Sequence, residues 1–502
     1  MSNITTVRTI TDDEIVERAA ALPDFQEYPK VDELLAQMDE LAAAFPELLT
    51  VRRIGTSRLD EPILMYSLSL TSSNASDTEE TAAQRCLVVG GVHPNEPIGS
   101  HTIIRVLGDL LNDEALRLSL NTVWDFIPCI DPDGMRLNEG WFDDSFNDET
   151  YFEHFYRPPG DEQVEWTFPI NYKAKYFDAM LPETQALQRV IVETKPDLYV
   201  PLHNSETGGA YFYISEPVGG LVDLLQRLPA EFGIPLHRGE PEAAHFKEIA
   251  PAVFESGTSQ DVYEWREANG LDPVPQGAAG QSSTSYARQH GATSLIAELP
   301  IWRTFGADDT SPSGSNYADL LRDAGNALID TGTSLTAVLA QIEADLTVNS
   351  PFLRSARVFV PGMTSMGETM LARAADAVND RIASVAERPM SVVWMYRLRF
   401  GGALLRALKA EVVAGSATVR VRRVAQELER EWSAWMQQRL VEEETQGIPI
   451  RAVVGVQYGA VLGLVAHAMA ERASSEQGEP SFGRAPSDDD AAAPVLDARS
   501  GR

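Results

Sequence analysis

Cysteine, histidine and positive charge are all scarce in this sequence. Its 502 residues include 2 cysteines and 8 histidines, and 41 Lys and Arg residues stand against 74 Asp and Glu residues. Cys86 and Cys129 fall in apolar stretches that predict central strands, which favours buried thiols over a disulfide. The net charge of −33 repels nucleic acid and anionic membrane surfaces, so we expect no nucleic-acid partner.

Long apolar runs are also rare. The first twenty residues carry several charges and no apolar core, so we predict no secretory signal and a cytoplasmic location. The exception is residues 452–470, in which Gly455, Gly459 and Gly463 recur at every fourth position. This stripe predicts a helix packed closely against another C-terminal helix or against a second subunit. In the second case the chain would form a homo-oligomer. Charged residues abut the run, so we do not expect it to enter a membrane.

The hydrophobic pattern divides the chain into three parts. Residues 1–345 alternate apolar strands with amphipathic helices, which predicts an α/β unit with parallel strand pairing. Residues 346–472 follow helical periodicity throughout and predict a C-terminal helical region. Residues 473–502 have too few large apolar side chains to fold, so we predict a disordered tail.

The most informative stretch is residues 87–99. An apolar run of strand length ends in two glycines, and His93 and Glu96 follow before a helix begins. In open α/β folds this position lies at the mouth of the sheet, where ligands bind. Imidazole and carboxylate groups both bind zinc, and a set of two histidines and one glutamate leaves one position free for water. We therefore expect a third ligand further along the chain.

His203 is the candidate for that third ligand. It follows a short apolar strand at residues 198–202, so it should project from the same sheet edge as His93. His101 is the alternative because it is close to Glu96 in sequence. It lies within the following helix, however, and should face away from the site.

Glu298 is a charged residue in an otherwise apolar strand at residues 295–299. An unpaired charge there is costly, so Glu298 either forms an ion pair, for example with Arg303, or belongs to a site. As a general base it would take a proton from a water that zinc has acidified, and would deliver it to a leaving amine.

Four short blocks together resemble a known family. They are His93-Pro94-Asn95-Glu96, Asp131-Pro132-Asp133-Gly134, Leu202-His203-Asn204-Ser205 and Ile296-Ala297-Glu298-Leu299. In this order and at these intervals they resemble the M14 family of zinc carboxypeptidases, and the resemblance covers roughly residues 25 to 345.

The resemblance implies a fold and a catalytic apparatus. The fold is α/β, with a mixed, mostly parallel eight-stranded sheet flanked by helices, and residues 1–345 become the zinc-carboxypeptidase-like catalytic domain. One zinc ion per chain is held by His93, Glu96 and His203, and Glu298 is the general base. Carboxypeptidase A, a member of this family, likewise binds its catalytic zinc with two histidines and one glutamate.

The sequence departs from the family pattern at several positions. The family has asparagine in place of Asp131, and an Asn-Arg pair further on that binds the terminal carboxylate of the substrate. Arg157 is the candidate for that arginine, and Arg136 is the candidate for the arginine that polarises the scissile carbonyl. The family's tyrosine falls near Gln276, with Tyr286 out of register, and Asn204 and Tyr286 remain candidates for substrate binding.

The resemblance implies a zinc-dependent metallopeptidase that hydrolyses an amide bond at or near the C-terminus of a peptide. The His-x-x-Glu block also resembles N-acyl amino-acid deacylases of the desuccinylase and aspartoacylase branch, so an acyl-amino-acid substrate is the alternative. A non-catalytic binding protein on the same fold is the third possibility. Glu298 argues against it, because only chemistry or an ion pair requires a charge in that strand.

Overall fold

The computed structural model describes residues 9–71, 83–238, 246–274 and 278–476. The strands are β1 (Leu49–Thr56), β2 (Pro62–Leu68), β3 (Gln84–Val89), β4 (Thr122–Ile127), β5 (Ile170–Tyr172), β6 (Lys175–Phe177), β7 (Leu198–Pro201), β8 (Ser205–Gly208), β9 (Tyr211–Ile214), β10 (Lys247–Ala250), β11 (Val253–Glu255), β12 (Thr293–Glu298), β13 (Pro300–Thr304), β14 (Pro312–Asn316), β15 (Ile382–Ser384) and β16 (Thr445–Gly447).

The helices follow the same order along the chain. They are α1 (Asp12–Ala20), α2 (Val31–Ala44), α3 (Ile98–Asn112), α4 (Glu114–Leu120), α5 (Pro132–Arg136), α6 (Asp148–His154), α7 (Pro182–Thr194), α8 (Leu221–Glu231), α9 (Ser259–Ala268), α10 (Ser283–Gln289), α11 (Tyr317–Ile342), α12 (Pro351–Ala374), α13 (Pro389–Val413), α14 (Val419–Glu442) and α15 (Ile450–Glu476).

The central sheet has nine strands in the order β1-β2-β4-β3-β7-β12-β9-β11-β10. Strands β4, β3, β7 and β12 are parallel neighbours, and antiparallel pairs flank them on both sides. The predicted mixed α/β sheet is confirmed, but it has nine strands rather than eight, and parallel pairing does not dominate. The edge strand β10 and its neighbour β11 are too short for hydrophobic periodicity to reveal them.

Helices cover both faces of this sheet. In β3, Cys86 and Val88 pack into the larger apolar core with α1, α2, α3, α8 and α15, whereas Leu87 and Val89 pack on the other face with α7 and α10. This alternation follows from the two-residue period of a strand. Each fully buried aliphatic side chain contributes roughly 1.5 to 3 kcal/mol, so a strand buried on both faces is held firmly.

The apolar helix predicted near the C-terminus is α15, and it lies in the core. It is long and apolar enough to cross a membrane, but 83% of its most apolar window is buried inside the protein. Its glycine stripe packs on α8: a Cβ atom added at Gly455 would lie 2.4 Å from Phe232, and one at Gly463 would lie 2.4 Å from Leu224. The close packing was predicted, but the expected partner, another C-terminal helix or a second subunit, is replaced by a helix of the α/β unit.

The remaining C-terminal helices pack on one another. Helices α11, α12, α13 and α14 form a bundle, although α11 precedes the boundary predicted at residue 345. That boundary stays a prediction. Helix α15 runs to Glu476, so the chain remains helical beyond the predicted start of the tail at residue 473, and residues 477–502 lie outside the described part of the chain.

A small second sheet connects the C-terminal region to the edge of the central sheet. Strand β13 pairs with β8 in parallel and with β16 in an antiparallel register. Strand β8 begins two residues after His203, and β13 begins two residues after Glu298. The segments that carry these two residues are therefore tied to the C-terminal region by backbone hydrogen bonds.

Candidate metal centre

The candidate residues lie at one edge of the central sheet. His93 and Glu96 follow β3, His203 follows β7, and Glu298 is the last residue of β12. Because β3, β7 and β12 are parallel neighbours, their carboxyl ends meet at the same edge. Glycine is required where the chain leaves β3: a Cβ atom at Gly90 would lie 2.4 Å from the carbonyl oxygen of Pro128.

The structure brings His93, Glu96 and His203 together. One potential ligand atom from each of the three lies within 4.8 Å of the other two. Nδ1 of His203 is 3.2 Å from Oε2 of Glu96 and 3.6 Å from Oε1 of Glu298. The rings of His93 and His203 are 4.9 Å apart. The competing residue His101 hydrogen-bonds the carbonyl oxygen of Glu27 instead, at 2.8 Å.

Tight packing holds the two ligand segments against each other. A Cβ atom at Gly99 would lie 2.8 Å from Cβ of Leu202, so glycine lets α3 approach the end of β7. The backbone N–H of Asn204 donates to Oε2 of Glu96 over 3.3 Å. Behind the site, Nε2 of the buried Gln457 donates to the carbonyl oxygen of His203 over 2.7 Å.

Burial and neighbouring charges set the ionisation of the three residues. Burial, helped by the charge of Arg157, lowers the pKa of His93 well below its usual value, which keeps the ring neutral. Burial alone would raise the pKa of Glu96, but His93, His203 and Arg157 hold it at about 2. Burial would lower the pKa of His203, yet the hydrogen bond and charge of Glu96 raise it.

These residues fit a zinc ion. Among the described residues, Nδ1 of His93 and Nε2 of His203 have no hydrogen-bond partner although both atoms are buried. Buried polar atoms are normally paired, so two unpartnered imidazole nitrogens beside the ionised Glu96 are suited to bind a metal ion. Two imidazoles and one carboxylate are the ligands of catalytic zinc sites with an open position.

Arg157 lies beside the metal centre. Its Nη1 donates to Oε1 of Glu96 over 2.7 Å and to Asn95 over 3.3 Å, and its Nε donates to Gln163 over 3.2 Å. Its side chain is 23% exposed, and Nη2 makes no hydrogen bond with the described residues. Arg157 therefore presents a free donor edge next to the ligand Glu96.

The other predicted substrate residues divide into two groups. Asn204 lines the cavity beside the metal centre. Arg136 does not line it among the described residues, because Glu61 and Asp32 hold its guanidinium over 2.8 and 2.6 Å at the surface. Tyr286 packs against the rings of Phe168 and His290, at 5.0 and 4.9 Å, and likewise stays out of the described lining. The assignments of Arg136 as carbonyl-polarising residue and Tyr286 as substrate-binding residue therefore have no geometric support.

The cavity has a volume of about 480 Å³, within the usual range for sites that take small molecules. Hydroxyl side chains form one part of its lining, namely Ser256, Thr258, Ser259, Ser282, Thr284 and Ser285. Aromatic side chains form another part, namely Phe155, Trp166, Phe359, Tyr396 and Phe400.

Several cavity residues were not predicted from the sequence. Glu165 is buried, accepts a hydrogen bond from Ser283 over 2.6 Å, and has a pKa raised by burial. Glu206 completes a second His-x-x-Glu pair with His203, which was a visible signal, and it forms an ion pair with Arg399. Arg399 lies in the C-terminal region, where no local pattern marked it.

Comparison with known proteins agrees with this geometry. A family model described as zinc carboxypeptidase, peptidase family M14, matches residues 34–294, which is more than half of the chain. The chain belongs to the M14 zinc carboxypeptidase family. This protein is therefore a zinc metallocarboxypeptidase-type hydrolase.

Individual relatives of this family member are distant. Carboxypeptidase E of Caenorhabditis elegans is 28% identical over 119 residues, a match that spans 22% of this chain and 24% of that protein. Carboxypeptidase A of Helicoverpa armigera is 16% identical with a TM-score of 0.37, covering 72% of this chain and 79% of that one. A metallo-carboxypeptidase of Burkholderia cenocepacia is 13% identical with a TM-score of 0.33, covering 54% and 60%.

Proposed function

We propose that this protein is a zinc-dependent peptidase that hydrolyses the amide bond at or next to the C-terminus of a peptide. The observation that carries the proposal is the convergence of His93, Glu96, His203 and Glu298 at one sheet edge, in a cavity. When bound, zinc supplies a Lewis acid that polarises a carbonyl group and acidifies a water molecule.

Glu298 is placed for proton transfer. Its Oε1 is 3.6 Å from the ring of His203, and its side chain is 11% exposed and lines the cavity. A carboxylate beside the metal ligands takes the proton of the attacking water and delivers it to the nitrogen of the leaving amine. The same carboxyl group can therefore serve first as base and then as acid.

Arg157 supplies the positive charge for the substrate. Its side chain lines the cavity next to Glu96, and its Nη2 makes no hydrogen bond with the described residues. A guanidinium there stabilises the negative charge that develops on the carbonyl oxygen, or pairs with the terminal carboxylate one residue away. Arg157 therefore replaces Arg136 as our candidate for the carbonyl-polarising residue and stays our candidate for binding the terminal carboxylate.

Deacylation of N-acyl amino acids is the second candidate. The limited volume of the cavity, about 480 Å³, and the wall formed by the C-terminal helices both suit a short substrate. Such a substrate has the same amide bond and the same free carboxylate as a peptide terminus, so the same residues would serve it.

A substrate screen separates the candidates. Zinc-loaded protein is incubated with free-acid peptides, their C-terminally amidated counterparts and N-acyl amino acids, and the products are identified by mass spectrometry. We expect loss of the C-terminal residue from free-acid peptides, and no products after chelation of the metal. Release of free amino acids from the acyl compounds alone would establish the deacylase instead.

Two arginine variants test the role of Arg157 in the same screen. Arg157→Ala should lower kcat/KM by roughly 30-fold or more on free-acid peptides, because a charge-assisted contact in a buried site is lost. Arg136→Ala is the matched control and should leave kcat/KM unchanged, since Arg136 is bound to Glu61 and Asp32 at the surface. Equal losses for both variants would remove Arg157 from the substrate site.

A further inference from the structure

The C-terminal helices build one wall of the cavity. Phe359 of α12 and Tyr396, Arg399 and Phe400 of α13 line it together with Phe155. Both helices lie outside residues 34–294, so the family match does not account for them. We propose that these five residues, the aromatic subsite, bind an aromatic side chain of the substrate peptide within two residues of the scissile bond. This inference rests on the proposed peptidase function and adds its specificity.

The rings form a continuous cluster. Phe359 and Phe400 stack with centroids 4.1 Å apart, and Tyr396 and Phe155 meet Phe400 edge-on at 5.2 and 6.2 Å. Phe400 is buried, whereas Phe359 and Tyr396 are half-buried. The cluster therefore keeps apolar ring surface open to the cavity. A substrate ring that covers this surface removes it from water and gains edge or stacking contacts with the cluster.

Arg399 supplies the polar part of the subsite. Its guanidinium lies 4.6 Å from the centre of the Phe155 ring, and its Nη2 donates to the hydroxyl of Tyr151 over 2.7 Å and pairs with Glu206. Nε and Nη1 make no hydrogen bond with any described residue, and Nε is buried. Because Glu206 already balances the charge of Arg399, the acceptor that fits these donors is neutral. A peptide carbonyl oxygen of the bound residue meets that requirement.

The subsite adjoins the metal centre through the chain itself. Glu206, the partner of Arg399, is three residues after His203, and β8 begins between them. A peptide residue held by Arg399 and the rings therefore lies near a carbonyl group held at the metal centre. Specificity for aromatic residues would then be set by the C-terminal region, while the α/β unit carries the hydrolytic residues.

Three substitutions at two positions and two matched controls test the subsite. The probes are free-acid hexapeptides with Phe or Ala at each of the last three positions. Tyr396→Ala removes a ring from the subsite. Tyr396→Trp is the second variant in case the smaller residue impairs folding, because its larger side chain occupies the space that the substrate ring would fill. Phe352→Ala is the first control. Phe352 is half-buried like Tyr396, but it lies on α12 and packs on Tyr156 and Arg406. Arg399→Gln is compared with Arg397→Gln, whose guanidinium packs on Trp394.

The readout is the ratio of kcat/KM for the Phe and Ala peptides at each position. We expect the native chain to favour Phe at one position, and both Tyr396 variants to reduce that preference by about tenfold with little change on Ala peptides. Arg399→Gln should reduce kcat/KM on both peptides, and the two controls should change neither value. An unchanged Phe preference in both Tyr396 variants would overturn the subsite.

A binding measurement keeps this result separate from the proposed function. Affinities of the metal-free protein for the same hexapeptides are measured by titration calorimetry. If the native zinc-loaded protein cleaves none of the peptides, the peptidase proposal fails, and the subsite still predicts tighter binding of Phe peptides that is lost in Tyr396→Ala. Equal binding of Phe and Ala peptides by the native chain would overturn the subsite independently of turnover.

Discussion

Gln457 donates a hydrogen bond from Nε2 to the backbone carbonyl oxygen of His203 over 2.7 Å, across 254 positions of sequence. The same side chain accepts a hydrogen bond from the hydroxyl of Thr102 over 2.7 Å, so it joins α15, α3 and the ligand segment after β7. Gln457 is 1% exposed. The long apolar helix α15 thus carries a polar side chain that fixes the backbone of the candidate metal ligand His203.

Gln457→Leu should weaken zinc binding by roughly 10- to 100-fold, because supporting partners of metal ligands have effects of this size. Gln457→Glu keeps an acceptor for Thr102 but loses the donor to His203, so it should weaken binding as well. Gln437→Leu, at an exposed position of α14, is the control and should bind zinc normally. The measurement is competition with a chelator, and a native zinc affinity in both Gln457 variants would show that the contact only stabilises the fold.

Asp131→Asn should stabilise the protein at high pH but not at low pH. Burial raises the pKa of Asp131 to about 7 despite the nearby guanidinium of Arg58 and a hydrogen bond from the N–H of Gly134. A carboxyl group with a raised folded-state pKa contributes stability below its ordinary pKa, and that contribution is lost as the pH rises through 7. The substituted amide stays neutral and still accepts from Gly134.

The comparison is a thermal melt of both chains at pH 4 and pH 8. The free energy of unfolding of Asp131→Asn should exceed that of the native chain by roughly 4 kcal/mol at most at pH 8, from about 1.4 kcal/mol per pKa unit. At pH 4 the two chains should differ little. The same difference in Tm at both pH values would mean that Asp131 is ionised throughout.

Gly455→Leu should destabilise the fold by overpacking. A Cβ atom at Gly455 would already lie 2.4 Å from the ring of Phe232, so a larger side chain forces α15 and α8 apart. We expect a loss of about 1 to 3 kcal/mol in the free energy of unfolding, measured by denaturant titration. Gly108→Leu is the control, because a Cβ atom at Gly108 meets no described atom within 4 Å. Equal effects of the two substitutions would contradict the packing described for α15.

His93→Ala and His203→Ala should each abolish stoichiometric zinc binding, because each removes one of three protein ligands. His101→Ala should retain one zinc ion per chain, since His101 hydrogen-bonds the backbone of Glu27 away from the ligands. Elemental analysis of the purified variants gives the answer. Zinc retained by both His93 and His203 variants would disprove the proposed ligand set.

The grouping of the candidate metal ligands could be predicted from the sequence because its signals are local. His93, Glu96 and His203 each follow an apolar strand, and the charge of Glu298 is conspicuous within one. The ends of neighbouring parallel strands meet at one edge, so strand order alone brings these residues together. The mixed α/β fold is visible in the same periodicity, apart from its short edge strands.

The rest of the cavity depends on long-range packing, which a single sequence does not encode locally. Arg399 reaches the cavity from a helix almost 200 residues after Glu206, and nothing in its own helix distinguishes it from Arg397. Likewise, the glycine stripe of α15 predicts close packing but not that α8 is the partner. No motif in the sequence supported Arg136, and acidic neighbours hold it elsewhere. The cytoplasmic location remains a prediction.

Zinc content and turnover of Glu298→Gln, measured together on the same preparation, test the central claim most directly. Glutamine keeps the shape of the side chain beside His203 but cannot take a proton. We expect one zinc ion per chain, as in the native protein, with kcat on the best peptide from the screen reduced by ~10² or more. Native turnover in a zinc-loaded Glu298→Gln protein would contradict the claim that this residue is the general base of a zinc peptidase.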